Sequence, residues 1–521
     1  MVKKILPAGM AVLVAAGALA GCGTSETQGT ASGAQNASAG GTSLVFADTQ
    51  APTSLDPTVS WNSWYTSRYG ITETLYKLNM DLTPEPWLAE SAEAVDGTTW
   101  RITLRDGVTF HNGKALDAQA VIDSWNYTIE RNPRLNDLLF IDSMSADGLV
   151  LTVTTTKEVP AFTAALCEPL GGIIDVNAGT DLATQPVGTG PFIPESYEVK
   201  KQCVVRRYEN YWGGLPKLES ATFNIIADGS ALAMAQQSGE SNVSLTIPSN
   251  QLSLFENDPQ YVVDGATGSR GQVVFLNFQN EWLQDVQVRK ALSMCIDKEN
   301  YASAINQGAS DPATGLYPDF APYGGADLQG YTFDTAAARQ LLVDAGYTDT
   351  DGDGILEKDG RALELTLYTY PTKSELPLFG EAWVDAAREA GISLNLQTEA
   401  YDAIIERQRT KDFDLMLVSF TMCPTGDPQY FADIAFKTGG SSNYGGYSNA
   451  QVDALIEQLD SEFDTQTRYD LAKQIQQLIL DDAGFIVIGH AKFTNVLDAN
   501  ITGCETNPSE YYLLTAETAV E

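Results

Sequence analysis

Residues 381–420 read EAWVDAAREAGISLNLQTEAYDAIIERQRTKDFDLMLVSF, and this stretch decides the fold class. Residues 381–390 have the pattern of a helix, and residues 392–398 have the pattern of a strand. The same order follows at once, with a helix predicted at 401–411 and a strand at 413–420. Helices that alternate with strands predict α/β units around a largely parallel sheet.

Local signals outside this stretch predict further elements. Residues 43–48 read SLVFAD and predict a strand. Asp117 stands in front of a run with helical apolar spacing and predicts the N-cap of a helix. Ser448 with Gln451 fits a capping box, which predicts a helix at 449–459. No internal repeat is visible in the sequence.

The length, composition and charge limit the number of domains and the kinds of partner. The chain has 521 residues, of which 43% are apolar, so we expect two or three domains at roughly 100–200 residues each. The formal net charge is −37, from 31 Lys and Arg against 68 Asp and Glu. Because binding to nucleic acid depends on Lys and Arg that neutralise phosphates, this charge argues against a nucleic-acid partner. It favours a solvated surface that keeps the protein soluble.

The first 42 residues have the pattern of a targeting signal followed by a linker. Residues 1–21 have a basic start and an apolar run shorter than the roughly 20 residues of a membrane span, which predicts a signal peptide. The small residues before Cys22 resemble the lipoprotein box of bacteria, which implies lipidation of Cys22. Residues 22–42 are rich in Gly, Ser, Thr and Ala and predict a flexible tether reaching about 25 Å. The expected location is the outer face of a cell membrane of the Gram-positive type.

The remaining cysteines give no sign of a metal centre. No CxxC motif or Cys/His cluster is present, so a zinc site is not expected. An odd number of cysteines leaves at least one thiol free, and the sequence does not choose a disulfide pairing. These five cysteines are Cys167, Cys203, Cys295, Cys423 and Cys504.

A series of short motifs runs along the chain in a fixed order. They are Leu55-Asp56-Pro57, Glu73-Thr74-Leu75-Tyr76, PWLAES at 86–91, LRDGVTFHNG at 104–113, PVGTGPF at 186–192, NYWGG at 210–214, VRKAL at 288–292, Asp427-Pro428 and GYSN at 446–449. Together they resemble family 5 of the extracytoplasmic solute-binding proteins, which contains the oligopeptide, dipeptide and nickel binders of ABC importers. Each motif is short, but their joint order covers residues 55–449.

The resemblance implies an α/β fold of the periplasmic-binding-protein type, with two lobes, an extra small domain and a ligand cleft between the lobes. The chain would cross between the lobes near Gly271 and near Gly484, where glycine can absorb the rotation of a hinge. The expected boundaries are 43–60, 185–270 and 486–521 for lobe I, 61–184 for the small domain and 271–485 for lobe II.

The resemblance also implies a function. A member of this family is the extracytoplasmic substrate-binding subunit of an ABC importer, and it captures its ligand as the cleft closes. The preferred ligand is a peptide, whose extended backbone can bind through strand-like hydrogen bonds. The permease and ATPase would be separate chains, because no Walker motif is present. We expect a monomer that needs no cofactor.

Asp427 is the candidate partner of the α-amino group of the peptide. Peptide-binding relatives have an aspartate in a similar segment, and Asp427 stands in the matching sequence TGDP at 425–428. A buried ammonium needs a carboxylate of this kind. Asp-Pro is also a common turn sequence, so a turn role for Asp427 stays open.

Aromatic and apolar residues are the other candidate ligand contacts. Trp61, Trp64 and Tyr65 form a cluster that suits a cleft wall, although core packing would also explain any one of them. Phe420 and Met422 stand at the end of a predicted strand and would face the cleft if the α/β geometry holds. Relatives often have a tryptophan in that stretch, and its absence here leaves the class of substrate open.

A nickel or metal-chelate (metallophore) ligand is the alternative. Nickel-binding relatives hold a chelate through a histidine and arginines. His111 and His490 are the only histidines of this chain, and we interpret both as structural. A metallophore could still bind through arginine and aromatic contacts.

Residues 349–354 read DTDGDG and have the oxygen spacing of a calcium loop. The candidate ligands are Asp349, Asp351, Asp353 and Glu357. The twelfth position, where an EF-hand has a bidentate glutamate, is Gly360. Similar loops in the family are turn-rich hairpins, so both interpretations stay open.

A secreted acid hydrolase is the rival class. An acidic chain can always supply two carboxylates for such chemistry. The sequence has no GxSxG, no HExxH and no glycine-rich phosphate loop. We therefore expect a binding protein rather than an enzyme.

Overall fold

The computed structural model describes residues 43–521. The predicted signal peptide at 1–21, the lipidation of Cys22 and the tether at 22–42 lie outside the described residues. From residue 43 onward, the chain has no helix that is both long enough and apolar enough to cross a membrane.

The N-terminal part contributes one strand to the main sheet and then forms a small antiparallel sheet with the order β4-β5-β7-β6. The helix α2 begins where the sequence predicts, because the carboxylate of Asp117 accepts a hydrogen bond from the backbone N–H of Ala120 at 2.8 Å. The elements are β1 (Ser43–Asp48), α1 (Asn62–Arg68), β2 (Tyr76–Leu78), β3 (Pro84–Pro86), β4 (Ala89–Ala94), β5 (Thr99–Leu104), α2 (Ala118–Arg131), α3 (Arg134–Leu139), β6 (Ile141–Asp147), β7 (Val150–Thr155) and α4 (Phe162–Ala165).

The next part returns to the main sheet and ends in a strand of 16 residues. Its elements are β8 (Phe192–Glu198), β9 (Gln202–Arg207), β10 (Ser220–Ile225), α5 (Gly229–Ser238), β11 (Val243–Leu245), α6 (Ser249–Leu252) and β12 (Tyr261–Leu276).

The third part alternates helices with strands, as residues 381–420 predict. Its elements are α7 (Glu281–Gln284), α8 (Val286–Met294), α9 (Lys298–Asn300), β13 (Ser310–Pro312), α10 (Thr335–Asp344), β14 (Glu357–Lys358), β15 (Arg361–Ala362), β16 (Glu364–Thr369), α11 (Glu375–Glu389), β17 (Ser393–Thr398), α12 (Tyr401–Thr410), β18 (Leu415–Thr421), α13 (Gln429–Phe431), α14 (Ala450–Leu459), α15 (Thr465–Asp481), β19 (Ile486–Asp498), β20 (Ile501–Thr502) and β21 (Ala519–Val520).

One 11-stranded sheet runs through the structure in the order β17-β16-β18-β12-β19-β11-β1-β10-β9-β8, and β13 pairs with β19 beside this path. The strands β17, β16 and β18 are parallel, which confirms the parallel α/β units that the sequence predicts. The prediction of a largely parallel sheet is wrong for the sheet as a whole, because β12 is antiparallel to both β18 and β19 and most pairings of the sheet are antiparallel. Parallel pairing is confined to the α/β units and to the strands around β1.

The predicted capping box in front of α14 is wrong by one residue. The N-cap is Asn449, whose Oδ1 accepts hydrogen bonds from the backbone N–H groups of Gln451 and Val452 at 2.9 and 3.3 Å. The hydroxyl of Ser448 lies instead 2.9 Å from that of Thr438. Both residue types cap helices well, so the local sequence does not choose between Ser448 and Asn449.

The buried apolar side chains form separate clusters. One cluster packs Phe46, Phe192 and Phe223 behind the β1, β8 and β10 end of the main sheet. The largest cluster contains both Trp125, from the small-sheet region, and Trp383, from the α/β region. The boundaries of the three predicted domains stay a prediction.

A buried carboxylate joins three of the sequence motifs. Glu73 is 1% exposed and accepts hydrogen bonds from Tyr211 Oη at 2.6 Å, Trp212 Nε1 at 3.0 Å and Thr189 Oγ1 at 2.9 Å. Arg105, from a fourth motif, lies over the Trp212 ring at 4.9 Å. Burial raises the pKa of Glu73 to about 7, against the lowering effect of these three donors.

The ionisation of Glu73 should make the folded state less stable as the pH rises. Because its pKa is higher in the folded state than the unfolded value of 4.5, the folded state holds the proton more tightly between these two values. The free energy of unfolding, measured against the variant Glu73→Gln, should fall from pH 5 to pH 8 by on the order of 3 kcal/mol. Denaturant unfolding at a series of pH values measures this difference. The exposed Glu198→Gln is the control, and parallel curves for Glu73→Gln and the unaltered protein would contradict the prediction.

Candidate functional site

A cavity of about 620 Å³ lies where α1, the end of β1, the end of β18 and the segment around residue 510 meet. We call it the central cavity. It is lined by Asp48, Gln50, Ala51, Pro52, Thr53, Ser60, Trp61, Asn62, Trp64, Tyr65, Arg68, Arg134, Thr246, Arg270, Tyr401, Ser419, Phe420, Thr421, Pro424, Tyr430 and Glu510.

Aromatic rings form two walls of the central cavity. Trp61 and Trp64 lie edge to face with their ring centroids 5.1 Å apart, and Trp61 is 52% exposed. On the other side, Phe420 is half-buried at the end of β18, and Tyr401 at the start of α12 is 49% exposed. Rings that stay this exposed in a cavity offer apolar area that a ligand can cover.

The short helix α1 places the aromatic rings of Trp61, Trp64 and Tyr65 next to a positively charged side chain. Trp61 is its N-cap residue, and Trp64 and Tyr65 follow three and four positions later on the same face. Arg68, three residues beyond Tyr65, lies over the Tyr65 ring at 5.2 Å. Burial raises the pKa of Tyr65 to about 12, so its hydroxyl stays neutral and can donate a hydrogen bond.

Arg68 is held by the protein itself. Its Nε and Nη2 donate to the carbonyl oxygen of Glu510 at 3.1 and 2.9 Å, and its Nη1 lies 3.5 Å from Asp48 Oδ2. Glu510 has a φ of 67°, which non-glycine residues rarely adopt. Such strained residues cluster at functional sites. Burial raises the pKa of Asp48, and Arg68 partly offsets this effect.

Arg134 is also fixed in place. Its Nη2 donates to Glu168 Oε1 at 2.7 Å, and the same oxygen accepts a hydrogen bond from Trp64 Nε1 at 3.2 Å. Glu168 is fully buried, and its carboxylate fixes the orientation of the Arg134 and Trp64 side chains. The guanidinium of Arg134 lies over the Trp61 ring at 4.5 Å.

Arg270 differs from the other two arginines of the central cavity. Its guanidinium makes no side-chain hydrogen bond within residues 43–521 and forms an ion pair with Glu510, with Nη2 and Oε1 3.6 Å apart. That separation is longer than a hydrogen bond. Arg270 and Glu510 therefore present one positive and one negative group whose hydrogen-bonding capacity is free for a ligand.

The structure brings together four of the six predicted ligand contacts. Trp61, Trp64, Tyr65 and Phe420 all line the central cavity. Met422 is fully buried and lines neither this cavity nor the adjoining one that contains Asp427. Its role as a ligand contact stays a prediction.

Asp427 lies in a neighbouring cavity of about 430 Å³, which we call the side cavity. Its carboxylate receives hydrogen bonds from Arg468 Nη2 at 2.7 Å and Arg468 Nε at 3.3 Å, and also from the backbone N–H of Gln429. Both side chains of this ion pair are at most 10% exposed. A ligand ammonium would have to share a carboxylate that Arg468 already neutralises, and the α-amino contact stays a prediction. The side cavity is lined by Arg134, Asp137, Leu138, Phe140, Val159, Ala161, Ala165, Thr425, Asp427, Gln429, Tyr430, Asp433, Ile434 and Ser441.

Neither histidine lines the central cavity. His111 makes backbone contacts, since its Nε2 lies 3.0 Å from the carbonyl oxygen of Gly190 and its Nδ1 accepts from the N–H of Gly188. His490 is 2% exposed, in β19. Burial lowers the pKa of each imidazole to about 4, so both are neutral near pH 7.

The four candidate calcium ligands lie close together. The carboxylate oxygens of Asp349, Asp351, Asp353 and Glu357 are all within 4.8 Å of one another. Asp349 also accepts hydrogen bonds from the N–H groups of Gly352 and Gly354, as it would in a turn without a metal. Calcium binding at this loop stays a prediction.

No motif of the sequence marks the charged residues of the central cavity as ligand contacts. Arg68 could have been found, because it stands one helical turn after Tyr65 in α1. Arg270 and Glu510 are 240 positions apart in the numbering and meet only in the folded chain. No local pattern marks such a pair.

The central cavity offers apolar and charged groups on one surface, in a mixed α/β fold. The sequence profile described as Bacterial extracellular solute-binding proteins, family 5 Middle, matches residues 83–443. The chain therefore belongs to family 5 of the bacterial extracellular solute-binding proteins.

Individual relatives agree with this family. The nickel-binding protein NikA of Staphylococcus aureus is 28% identical over 454 residues, which cover 87% of this chain and 90% of the relative. The oligopeptide-binding protein AppA of Bacillus subtilis is 26% identical over 469 residues, which cover 84% of this chain and 83% of the relative. The crystal structure of a nickel ABC transporter from Bacillus halodurans has a TM-score of 0.82 at 30% identity and covers 92% of this chain and 100% of that chain.

These comparisons confirm the two-lobed fold and the role of a substrate-binding subunit of an ABC importer. The family consists of binding proteins rather than enzymes, so the acid hydrolase gains no support.

The ion pair between Asp427 and Arg468 should be important for stability. Replacing Arg468 by alanine leaves a buried carboxylate without its cation and also removes hydrogen bonds to the carbonyl oxygens of Leu459 and Glu462. We expect the free energy of unfolding of Arg468→Ala to fall by about 3–5 kcal/mol in denaturant unfolding. Arg409→Ala, which breaks an exposed ion pair with Glu406, should lose less than about 1 kcal/mol. Equal losses in the two variants would refute the structural role of Arg468.

Proposed function

We propose that this protein binds a short peptide in the central cavity and delivers it to the permease of an ABC importer. The observation that carries the proposal is the pair of Arg270 and Glu510, which leaves one cation and one anion free to bind between aromatic walls. A peptide has a carboxylate at one end and an ammonium at the other. Arg270 suits the carboxylate, because a guanidinium pairs strongly with that group. Glu510 lies within 3.6 Å of Arg270, so it suits a donor near the same end of the ligand, such as a backbone N–H, and not the ammonium at the far end.

The charge of the chain makes these arginines informative. The protein has a formal charge of −37, yet Arg68, Arg134 and Arg270 all line one cavity. Asp48 and Glu510 are the carboxylates of the same lining. Because Arg134 is also paired with Glu168, these charges balance, and the case for a ligand carboxylate rests on Arg270, whose distance to Glu510 of 3.6 Å is longer than a hydrogen bond.

Ligand capture would use all three predicted domains. The central cavity takes Asp48 from predicted lobe I, Trp64 from the small domain and Phe420 from lobe II. A ligand that contacts all of them binds better when they are close together, and it therefore favours the closed conformation. Arg270 lies beside the predicted crossing between the lobes, where a rotation of the lobes would move it.

A metal chelate is the second candidate. The lining of the central cavity contains neither histidine nor cysteine, so a transition metal would have to enter with its own organic ligands. The relative NikA of Staphylococcus aureus is named for nickel, and the structure with a TM-score of 0.82 is that of a nickel ABC transporter. The carboxylates of a chelator would suit the arginines as well as a peptide does.

Mass spectrometry of the released ligand distinguishes the two candidates. Residues 43–521 are expressed in a bacterial host, purified without refolding and denatured mildly to release what is bound. A mixture of short peptides supports the proposal. A single metal-bearing compound would show that the ligand is a metal chelate and not a peptide. The role as the binding subunit of an importer would stand.

Affinity measurements then test the assigned residues. Arg270→Ala should weaken binding of the released ligand by at least about tenfold in calorimetry, because a hydrogen-bonded charge pair is lost. The control Arg101→Ala removes an exposed arginine on β5, outside both cavities, and should change the affinity little. An unchanged affinity in Arg270→Ala would show that the ligand does not use this guanidinium.

We also propose that lipid on Cys22 holds the protein at the outer face of the cell membrane. The support is the sequence pattern of residues 1–22. In a bacterial host that processes lipoproteins, Cys22→Ser should move the protein from the membrane fraction to the soluble extracytoplasmic fraction. Immunoblots of the two fractions measure the change, with Cys203→Ser as the control. Retention of Cys22→Ser in the membrane would refute the anchor.

A further inference from the structure

Arg270 and Glu510 are the charged pair of the central cavity that a ligand can contact from both sides. Within residues 43–521, neither side chain makes a side-chain hydrogen bond, and the two charged groups lie 3.6 Å apart. The side chain of Arg270 is 26% exposed and that of Glu510 is 20% exposed, and both line the cavity. A ligand in the cavity therefore reaches a guanidinium and a carboxylate that lie side by side.

The protein holds the backbones of both residues in place before a ligand binds. Arg270 lies in β12, where it is paired with Thr421 of β18. The carbonyl oxygen of Glu510 accepts two hydrogen bonds from Arg68, at 3.1 and 2.9 Å, and its N–H donates to the carbonyl oxygen of Asn507. Groups whose backbones are fixed in advance lose less entropy when a ligand binds.

The charges of the central cavity occur in balanced pairs. Arg68 lies 3.5 Å from Asp48, and Arg134 donates to a buried carboxylate. Arg270 and Glu510 form the third pair. A ligand carboxylate bound to Arg270 adds one negative charge to this partly desolvated site, next to the carboxylate of Glu510, and that charge is costly without a cation. A ligand that brings an ammonium together with its carboxylate keeps the site neutral.

The short distance between the two groups limits which ligands satisfy both. In an ordinary peptide the free ammonium and carboxylate belong to different residues, and even in an extended dipeptide they are about 6 Å apart. In an α-amino acid head group both are attached to one carbon, with the nitrogen about 2.5 Å from the carboxylate carbon. This second spacing matches an arginine and a glutamate whose charged atoms are 3.6 Å apart.

We propose that Arg270 and Glu510 together bind an α-amino acid head group, whose carboxylate pairs with Arg270 and whose ammonium pairs with Glu510. The inference rests on the proposed binding of a peptide in the central cavity. It specifies a peptide whose terminal residue is joined through its side chain, as in a γ-glutamyl peptide, because this linkage leaves both α-groups free. An ordinary C-terminal residue presents only a neutral amide N–H to Glu510, and a hydrogen bond between two ionised groups is stronger.

The rest of the central cavity suits a peptide better than a free amino acid. Its volume of about 620 Å³ is much larger than one head group. Trp61 is 52% exposed on one wall, and Tyr401 is 49% exposed on the other. These rings offer apolar area to the residue that follows the head group.

The test compares γ-glutamyl-phenylalanine with α-glutamyl-phenylalanine. The two probes have the same atoms and the same net charge, and they differ only in which carboxyl group of the glutamate forms the amide bond. The γ isomer has an ammonium and a carboxylate on one carbon, whereas the ammonium of the α isomer shares its carbon with no carboxylate. Calorimetry with the unaltered protein should show that the γ isomer binds at least about tenfold more tightly, because it alone pairs with both residues.

Two variants assign this preference to Glu510. In Glu510→Gln, the ratio of the two affinities should fall to near one, because the partner of the ammonium is lost. In Glu505→Gln, which removes an exposed carboxylate of the same segment outside the cavity, the ratio should stay unchanged.

Three results would overturn the inference. If the isomers bind equally, if the α isomer binds more tightly, or if Glu510→Gln keeps the preference, the inference is wrong while peptide binding stands. If neither isomer binds, the inference is also wrong, and alanyl-phenylalanyl-alanine then tests the proposed function. Binding of this ordinary tripeptide would leave the peptide function standing, and its failure to bind would count against that function as well.

Discussion

The antiparallel pairing of β12 with β19 is the constraint on which the rest of the structure depends. Its register runs from Tyr261 opposite Asp498 to Val274 opposite Ile486, so the two strands span the whole middle of the main sheet. On one side they carry β18 and the parallel α/β strands, and on the other side they carry β11 and β1. Arg270 on β12, Phe420 on β18 and Asp48 on β1 line the central cavity, so this pair positions the sheet side of the cavity, while α1 and α3 supply the other side.

The irregular part of this pairing also places Arg270 in the lining of the central cavity. The register shifts between Thr267 and Gly271, and Arg270 stands at this shift. A Cβ at Gly271 would lie 2.5 Å from Met422 Cε and 3.1 Å from the carbonyl oxygen of Gly489, so a side chain there would need Met422 and the neighbouring strand to shift. Close approach of this strand therefore favours glycine at this position.

The family motifs are mainly structural junctions. Glu73, Thr189 and Tyr211 belong to three different motifs and share one buried hydrogen-bonded cluster. In the same way, Arg289 donates to the carbonyl oxygen of Asp482, and Asn449 donates to its carboxylate. Residues that hold segments together can stay the same while the ligand changes, which explains why the motifs identify the family more clearly than the cargo.

Part of the fold was accessible to sequence reasoning. Local patterns predicted α11, β17, α12 and β18 because the periodicity of apolar residues is a local property. They also identified Trp61, Trp64 and Tyr65 as a group, since one helical turn separates them. The N-cap of α14 was placed one residue early, because serine and asparagine are equally good N-cap residues and the local pattern does not choose between them.

The sequence by itself determined the family, the α/β units and the aromatic wall, since each depends on short segments with a recognisable pattern. Only the tertiary structure decided that Asp427 is paired with Arg468 and that Arg270 meets Glu510. These contacts join residues from different elements, and the energy of a charge depends on what surrounds it after folding. The chemistry of the cavity is therefore a property of the assembled sheet and not of any single segment.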